Sequence, residues 1–227
     1  MDFCTCLIQR HRLFTDFRRF PGMICPLDSS YKASLTREQF LFHEMRIVAK
    51  FMVDGKNESE ITDIITKDNL FQYPTERMTV GMVRACYRRL NLLSSERLIR
   101  NVAEHPVEEA KQICLYAIMK DNRLVWDFMV TVMGGGGEYR NQDFSYGKLD
   151  LTSFFTRLQE QNEAIAGWSE STVKKLKSVL NRILRENDYL NDIKADHLNP
   201  IWLYPELENV IRTNGDQVAL AAFNRLE

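Results

Sequence analysis

Two stretches of the sequence combine apolar residues at helical spacing with an excess of Arg and Lys, the side chains that pair with phosphate groups. Between Glu170 and Arg185 the chain has five basic residues and one acidic residue. Between Glu76 and Arg100 it has six arginines and two glutamates. Such residues suit the electrostatic binding of a polyanion rather than catalysis. Each stretch therefore predicts a helix with one buried side and one cationic side.

The later stretch predicts a helix over residues 172–187. Leu176, Leu180 and Leu184 recur at helical spacing and define its buried side. Lys, Arg, Ser and Asn side chains can donate hydrogen bonds to phosphates and base edges, and Asn181 is the candidate for a base edge. We expect this helix to be the main DNA reader. Its predicted nucleic-acid contacts are Lys174, Lys175, Lys177, Ser178, Asn181, Arg182 and Arg185.

The earlier stretch predicts a helix over residues 79–93 that supports the nucleic-acid backbone. Val83, Cys86 and Leu90 mark its buried side. Gly81 is less favourable than alanine in a helix by about 1 kcal/mol, and its lack of a side chain would let a phosphate backbone approach closely. For either stretch alone, a solvated helix surface is the competing explanation. The predicted contacts here are Arg77, Arg84, Arg88 and Arg89.

Each basic helix is predicted to follow another helix across a break. Residues 59–67 lead through 68–74 to the first, and residues 152–166 lead through Gly167–Trp168 to the second. A helix, a sharp turn and a helix with polar exposed residues is the outline of a helix-turn-helix element. The first connection is longer than the usual three or four residues, so the second element fits this outline better.

The sequence gives only weak signals for a phosphate-binding loop, a metal site or an enzyme. The four consecutive glycines at 134–137 are not followed by the Gly-Lys-Ser/Thr of a phosphate-binding loop. Asp188, Asp192 and Asp196 recur every four residues and could hold Mg²⁺, although a solvated helix end explains them better. We expect no enzyme, no cofactor and no metal site. The one other candidate metal set has no standard zinc spacing and consists of Cys4, Cys6, His11 and Cys25.

Composition predicts an all-α, compact multi-helix fold. The 227 residues include only 10 Gly and 6 Pro, and helix-forming residues are abundant. The formal net charge of −1 means that nucleic-acid binding must come from local patches. Five irregularly spaced cysteines are typical of reduced thiols, which favours a cytoplasmic location. No apolar run approaches the twenty or so residues that a membrane span needs.

The glycine run also suggests how the chain is divided. We expect an accessory or weakly ordered extension over 1–30, with a flexible basic arm as the alternative. A helical domain over 31–133 and a second over 151–227 would be joined by a Gly-rich linker over 134–150. The sequence has no heptad seam, so a monomer is expected.

Six segments carry a family resemblance that spans about Tyr31 to Phe223. They are YKASLT (31–36), NLFQYP (69–74), EAKQICLYA (109–117), NRLVWDFM (122–129), FFTRLQEQ (154–161) and WSESTVKK (168–175). Together they resemble the BrxA family of bacteriophage-exclusion (BREX) defence systems. The resemblance implies a small all-α protein with helix-turn-helix elements and a DNA-binding role. It would act beside a methyltransferase and an ATPase, and the resemblance supplies no catalytic residues.

Two other functions remain open at this stage. A protein–protein adaptor would dock its basic stripes on an acidic partner and use Trp168, Trp202 and Tyr204 as aromatic anchors. Core packing is the alternative role for those three residues. An RNA ligand would use the same basic helices as duplex DNA.

Overall fold

The computed structural model describes residues 30–133 and 145–223. Within these ranges the chain is helical and forms no β-strand, so the predicted all-α, multi-helix fold is confirmed. Short 3-10 helices cover Ala33–Thr36 and Gln217–Phe223, and a π-helical turn covers Met129–Met133. The α-helices are α1 (Phe42–Val53), α2 (Glu58–Lys67), α3 (Glu76–Asn91), α4 (Glu96–Glu104), α5 (Val107–Asp121), α6 (Arg123–Phe128), α7 (Lys148–Gln161), α8 (Glu163–Ala166), α9 (Glu170–Glu186) and α10 (Pro205–Thr213).

Polar caps fix where the helices near the basic stretches begin. The Asn57 side chain accepts hydrogen bonds from the first turn of α2, and the Asn57 backbone N–H donates to the Glu60 carboxylate. Thr75 caps α3 by accepting from the Met78 N–H, and Ser169 caps α9 by accepting from the Thr172 N–H. Because unpaired amide groups at a helix start are costly, these caps set the boundaries.

In the sequence, Thr36 followed by Gln39 resembles a capping box and predicts that a helix begins after Thr36. This prediction is wrong, because α1 begins only at Phe42, after Leu41 in the left-handed region with φ 58°. The Thr36 hydroxyl donates back to the Ala33 carbonyl instead. Residues 37–41 stay non-helical because their carbonyl groups accept hydrogen bonds from another helix, as described below.

Two boundaries around the glycine run also differ from expectation. The predicted linker 134–150 overlaps α7, which begins at Lys148; residues 134–144 lie outside the described part of the chain. The predicted helix 152–166 is two helices, because Asn162 adopts an extended backbone and its side chain caps α8 at the Ile165 N–H. The extension 1–30 lies outside the description except for Ser30, and the division into domains stays a prediction.

A single hydrophobic core joins side chains from both sides of residues 134–150. It runs from Leu35 to Phe223. The 3-10 helix Gln217–Phe223 packs on the π-helical turn Met129–Met133, and the 3-10 helix Ala33–Thr36 packs on α9. The amino-terminal part of the described chain is therefore held directly against the later basic helix. No helix in the described ranges is long and apolar enough to cross a membrane.

Candidate nucleic-acid interface

Arg88 of α3 is engaged by two carboxylates. Its Nε and Nη2 donate to the two Asp121 carboxylate oxygens at 2.7 and 2.9 Å, and Nη2 also donates to Glu38 at 2.8 Å. The hydrogen bond to Asp121 raises the pKa of the Arg88 guanidinium. The charge of Arg88 is thus already balanced, and a phosphate would have to compete with two carboxylates for it.

Arg89 does not lie on the exposed side of α3, which corrects its predicted place among the nucleic-acid contacts. Its side chain is 1% exposed. It donates to the backbone carbonyls of Glu38, Gln39 and Phe40 at 2.6, 2.7 and 3.4 Å, and to Asp121 at 3.1 Å. Arg89 therefore fixes the 37–41 segment, because those carbonyl groups have no helical partner to bond.

Asp121 at the end of α5 is the shared acceptor of both arginines. Burial alone raises the pKa of this carboxyl group, but the hydrogen bonds and charges of Arg88 and Arg89 outweigh burial and hold the pKa below its ordinary value. Asp121 therefore stays ionised and completes a mostly buried ion-pair network with its two arginines.

The other two arginines of the earlier stretch remain at the surface. Arg84 is 68% exposed and lies 3.7 Å from Glu58, a distance and exposure at which an ion pair contributes little. Arg77 is exposed and lines an open groove of about 1110 Å³ between α3 and residues 36–44. Gly81 also lines this groove, and a Cβ atom added there would meet nothing within 4 Å. The groove thus leaves room for a ligand beside α3.

The later basic helix, α9, has the two-sided character that its sequence predicts. Leu176, Leu180 and Leu184 are buried in the core, while Lys174 and Lys175 are exposed. Neither of these lysines forms an ion pair with any residue in the described ranges. Ser178, one turn beyond Lys174, is exposed as well. These three residues are available to a ligand.

Three of the four remaining predicted contacts of α9 have protein partners. On one edge, Lys177 donates to Thr152 of α7 at 3.3 Å, and Asn181 accepts from the Tyr146 hydroxyl at 2.7 Å. On the other edge, Arg182 donates to the Gln39 side chain at 2.7 Å. Arg185 is half-buried, and its Nε lacks a hydrogen-bond partner.

The two basic helices flank the same short segment. Arg88 of α3 bonds Glu38, while Arg182 of α9 bonds the next residue, Gln39. Sequence reasoning missed this bridging segment, together with Asp121 and Tyr146. No periodic signal could reveal them, because each contact joins residues at least 32 positions apart.

The three aspartates considered as a Mg²⁺ set do not form a metal site in the described ranges. Asp188 pairs with Lys111, Asp192 accepts from the Lys194 backbone, and Asp196 pairs with His197. No group of three or more His, Cys, Asp or Glu residues there is arranged to hold a metal ion. The set Cys4, Cys6, His11 and Cys25 lies outside the described residues.

Comparison with known proteins identifies the family. The family model BrxA matches residues 29–215. A protein from Bacillus cereus (strain H3081.97) named "BREX protein BrxA" is 33% identical over 73% of this chain and 82% of its own length. One of the same name from Escherichia coli O9:H4 (strain HS) is 23% identical over 84% of this chain and 88% of its own length.

A solved structure shares the fold. The crystal structure of an uncharacterized protein from Magnetospirillum magneticum superposes with a TM-score of 0.71 at 22% identity, covering 85% of this chain and 97% of that one. The family model and the Bacillus relative, both matched over most of the chain, settle the assignment. This chain belongs to the BrxA family.

Proposed function

We propose that this protein is a non-enzymatic, DNA-binding component of a BREX-type phage-defence system. Its relatives named "BREX protein BrxA" support the defence role. The observation that supports DNA binding is the exposed stripe of α9, where Lys174, Lys175 and Ser178 have no acidic neighbour along the helix between Glu170 and Glu186. The proposal includes a cytoplasmic monomer that works beside the methyltransferase and ATPase of such a system.

Duplex DNA would lie along α9 and extend toward α3 across the bridging segment. The sequence-predicted contacts Arg77 and Arg84 are exposed on α3, and Arg182 reaches the bridging segment from α9. Exposed cations release counterions from DNA when they bind phosphates, which supplies most of the affinity in such contacts. Within this proposal α9 is the main contact, because the α3 residues Arg88 and Arg89 are held by the protein itself.

The test is a pair of charge-reversal variants with equal charge change. Lys174→Glu with Lys175→Glu should weaken duplex binding at least about tenfold, because two phosphate contacts are lost. The control is Lys50→Glu with Lys67→Glu, two exposed lysines in the last turns of α1 and α2. Equal weakening by both pairs in a fluorescence-anisotropy titration would refute a surface centred on α9. Competition with structured RNA distinguishes an RNA ligand from duplex DNA.

One observation favours a second candidate function, a protein–protein adaptor. Trp202 is 83% exposed, whereas Trp168 packs against the core. Tyr204 is partly buried, and burial together with its hydrogen bond to Glu206 raises the pKa of its phenol to about 12. If the adaptor function holds, Trp202→Ala should abolish the pull-down of a stoichiometric partner from nuclease-treated lysate. Unchanged pull-down by Trp202→Ala would count against an anchor at this position.

A further inference from the structure

Three side chains on α9 could read bases: Asn181 and Arg182 have protein partners, and Arg185 is half-buried near the end of the helix. Asn and Arg discriminate bases through paired hydrogen bonds in the major groove. Asn181 accepts from the Tyr146 hydroxyl and is half-buried, while Arg182 donates to Gln39. Lys174, Lys175 and Ser178 remain exposed. Lys is a point charge and Ser bonds any base, so this remaining set suits phosphates.

Contacts between α7 and α9 show that the two helices run in opposite directions. Tyr146, just before α7, meets Asn181 late in α9. Further along α7, Thr152 and Phe155 both meet Lys177, the latter with the ammonium 5.6 Å from the ring centre. As the residue number rises on α7, that of the α9 partner falls. The end of α7 therefore lies near the start of α9.

This antiparallel arrangement segregates charge on the paired helices. Glu160, Glu163 and Glu170 fall at the end where α7 leads through α8 into α9. At the other end, Tyr146 bonds the backbone of Asp196, which is exposed. Between these acidic ends, exposed residues at four-residue spacing share the face of α7 where Thr152 meets Lys177, and they are Lys148, Thr152 and Thr156. The middle of the pair is thus free of exposed carboxylates.

We infer that the DNA-contacting surface extends from α9 onto the Thr152–Thr156 stripe of α7, and that it contacts the phosphate backbone without reading base sequence. The inference rests on the proposed function and adds its ligand class, duplex DNA of any sequence. The major groove of DNA is about as wide as one helix. Because α7 flanks one edge of α9 and the 37–41 segment flanks the other, α9 fits poorly into that groove. Hydroxyl groups on α7 and lysines on α9 would hold the duplex backbone across this surface.

Adjacent residues on α7 provide a matched test of where this surface ends. Thr156 is exposed and lies one helical turn beyond Thr152, which contacts Lys177 of α9, whereas the Arg157 Nη2 lies 3.4 Å from the Thr131 hydroxyl. Thr156→Glu and Arg157→Gln each change the charge by one unit. Thr156→Glu should weaken binding to a 20-base-pair duplex about fivefold, and Thr156→Lys should tighten it about threefold. Arg157→Gln should change the affinity less than twofold. Equal weakening by Thr156→Glu and Arg157→Gln would overturn the placement on α7.

A panel of unrelated duplexes of equal length tests the absence of base reading. The dissociation constants should agree within about threefold, because a protein that reads base sequence loses about 5- to 150-fold in affinity at each mismatched base pair. A preference of tenfold or more for one duplex would overturn this inference and leave the proposed DNA-binding function standing. If the wild-type protein bound none of the duplexes, the proposed function itself would fail.

Discussion

Replacing Arg89 by methionine tests whether this arginine is structural rather than part of a ligand surface. Methionine retains much of the apolar length of the side chain and removes the guanidinium. The carbonyl groups of Glu38, Gln39 and Phe40 would then lose their donor inside the protein. Asp121 would keep only its bonds to Arg88.

The expected loss of stability follows from these contacts. A hydrogen bond to a charged group contributes about 1.5–3 kcal/mol, and breaking a buried ion pair by removing one partner costs about 3–5 kcal/mol. The two figures describe the same loss and do not add. We therefore expect Arg89→Met to lower the free energy of unfolding by about 3–5 kcal/mol. With a urea dependence near 3 kcal/mol per molar for a chain of this size, the midpoint should fall by about 1–1.7 M.

Urea unfolding followed by circular dichroism measures this effect, and the neighbouring residue supplies the control. Arg88 is 47% exposed, so Arg88→Met should cost about 1 kcal/mol or less. A midpoint for Arg89→Met within about 0.3 M of the wild-type value would refute the structural role of Arg89. A larger loss for Arg88→Met than for Arg89→Met would refute the contrast between the two arginines.

Three further changes have defined outcomes. Tyr116→Phe removes a buried 2.5 Å hydrogen bond to Asp216, while Asp216 keeps its ion pair with Lys120. Thermal unfolding should therefore show that the free energy of unfolding falls by about 1–3 kcal/mol. An unchanged melting temperature would contradict a stabilising role for this hydrogen bond. Gly81→Ala should stabilise the protein by about 0.5–1 kcal/mol, because alanine favours a helix and the added methyl group meets no neighbour. Destabilisation would contradict the open space beside Gly81 in α3. Asp121 has a folded pKa below its unfolded value near 3.9. Its stabilising contribution is therefore full above about pH 4 and is lost as the pH falls through the folded pKa, so the stability difference between wild type and Asp121→Asn should shrink on acidification.

The helical fold could be predicted from the sequence because its signals are local. Apolar spacing places α3 and α9 within a few residues of their observed bounds. Ser169 and Ser171 are both plausible caps for α9 in the sequence, and the structure uses Ser169. The mistaken helix start at Thr36 had a plausible local pattern too. Residues 37–41 remain non-helical because Arg89, fifty positions from Gln39, bonds the carbonyl groups of this segment. Tertiary contacts of this kind override local preference.

The sequence could predict which residue types line the candidate site, but not which of those side chains are buried and which are exposed. Helical spacing puts Arg88 on the outward side of α3 and Arg89 to one side of it, and whether a residue placed like Arg89 is covered depends on what packs there. The structure covers Arg89 with the 37–41 segment and leaves Lys174 and Lys175 uncovered. The same limit applies to Asn181, whose partner Tyr146 follows the glycine run and has no periodic relation to α9.

The central claim is most directly tested by measuring duplex affinity against salt concentration for the wild type and for Lys174→Glu with Lys175→Glu. Two to four phosphate contacts predict that wild-type affinity falls about 10- to 150-fold between 50 and 200 mM salt. Loss of both lysines should reduce the slope of log affinity against log salt by about 1.8. A wild-type affinity that hardly changes with salt, or a slope that the double variant leaves intact, would contradict a DNA surface centred on α9.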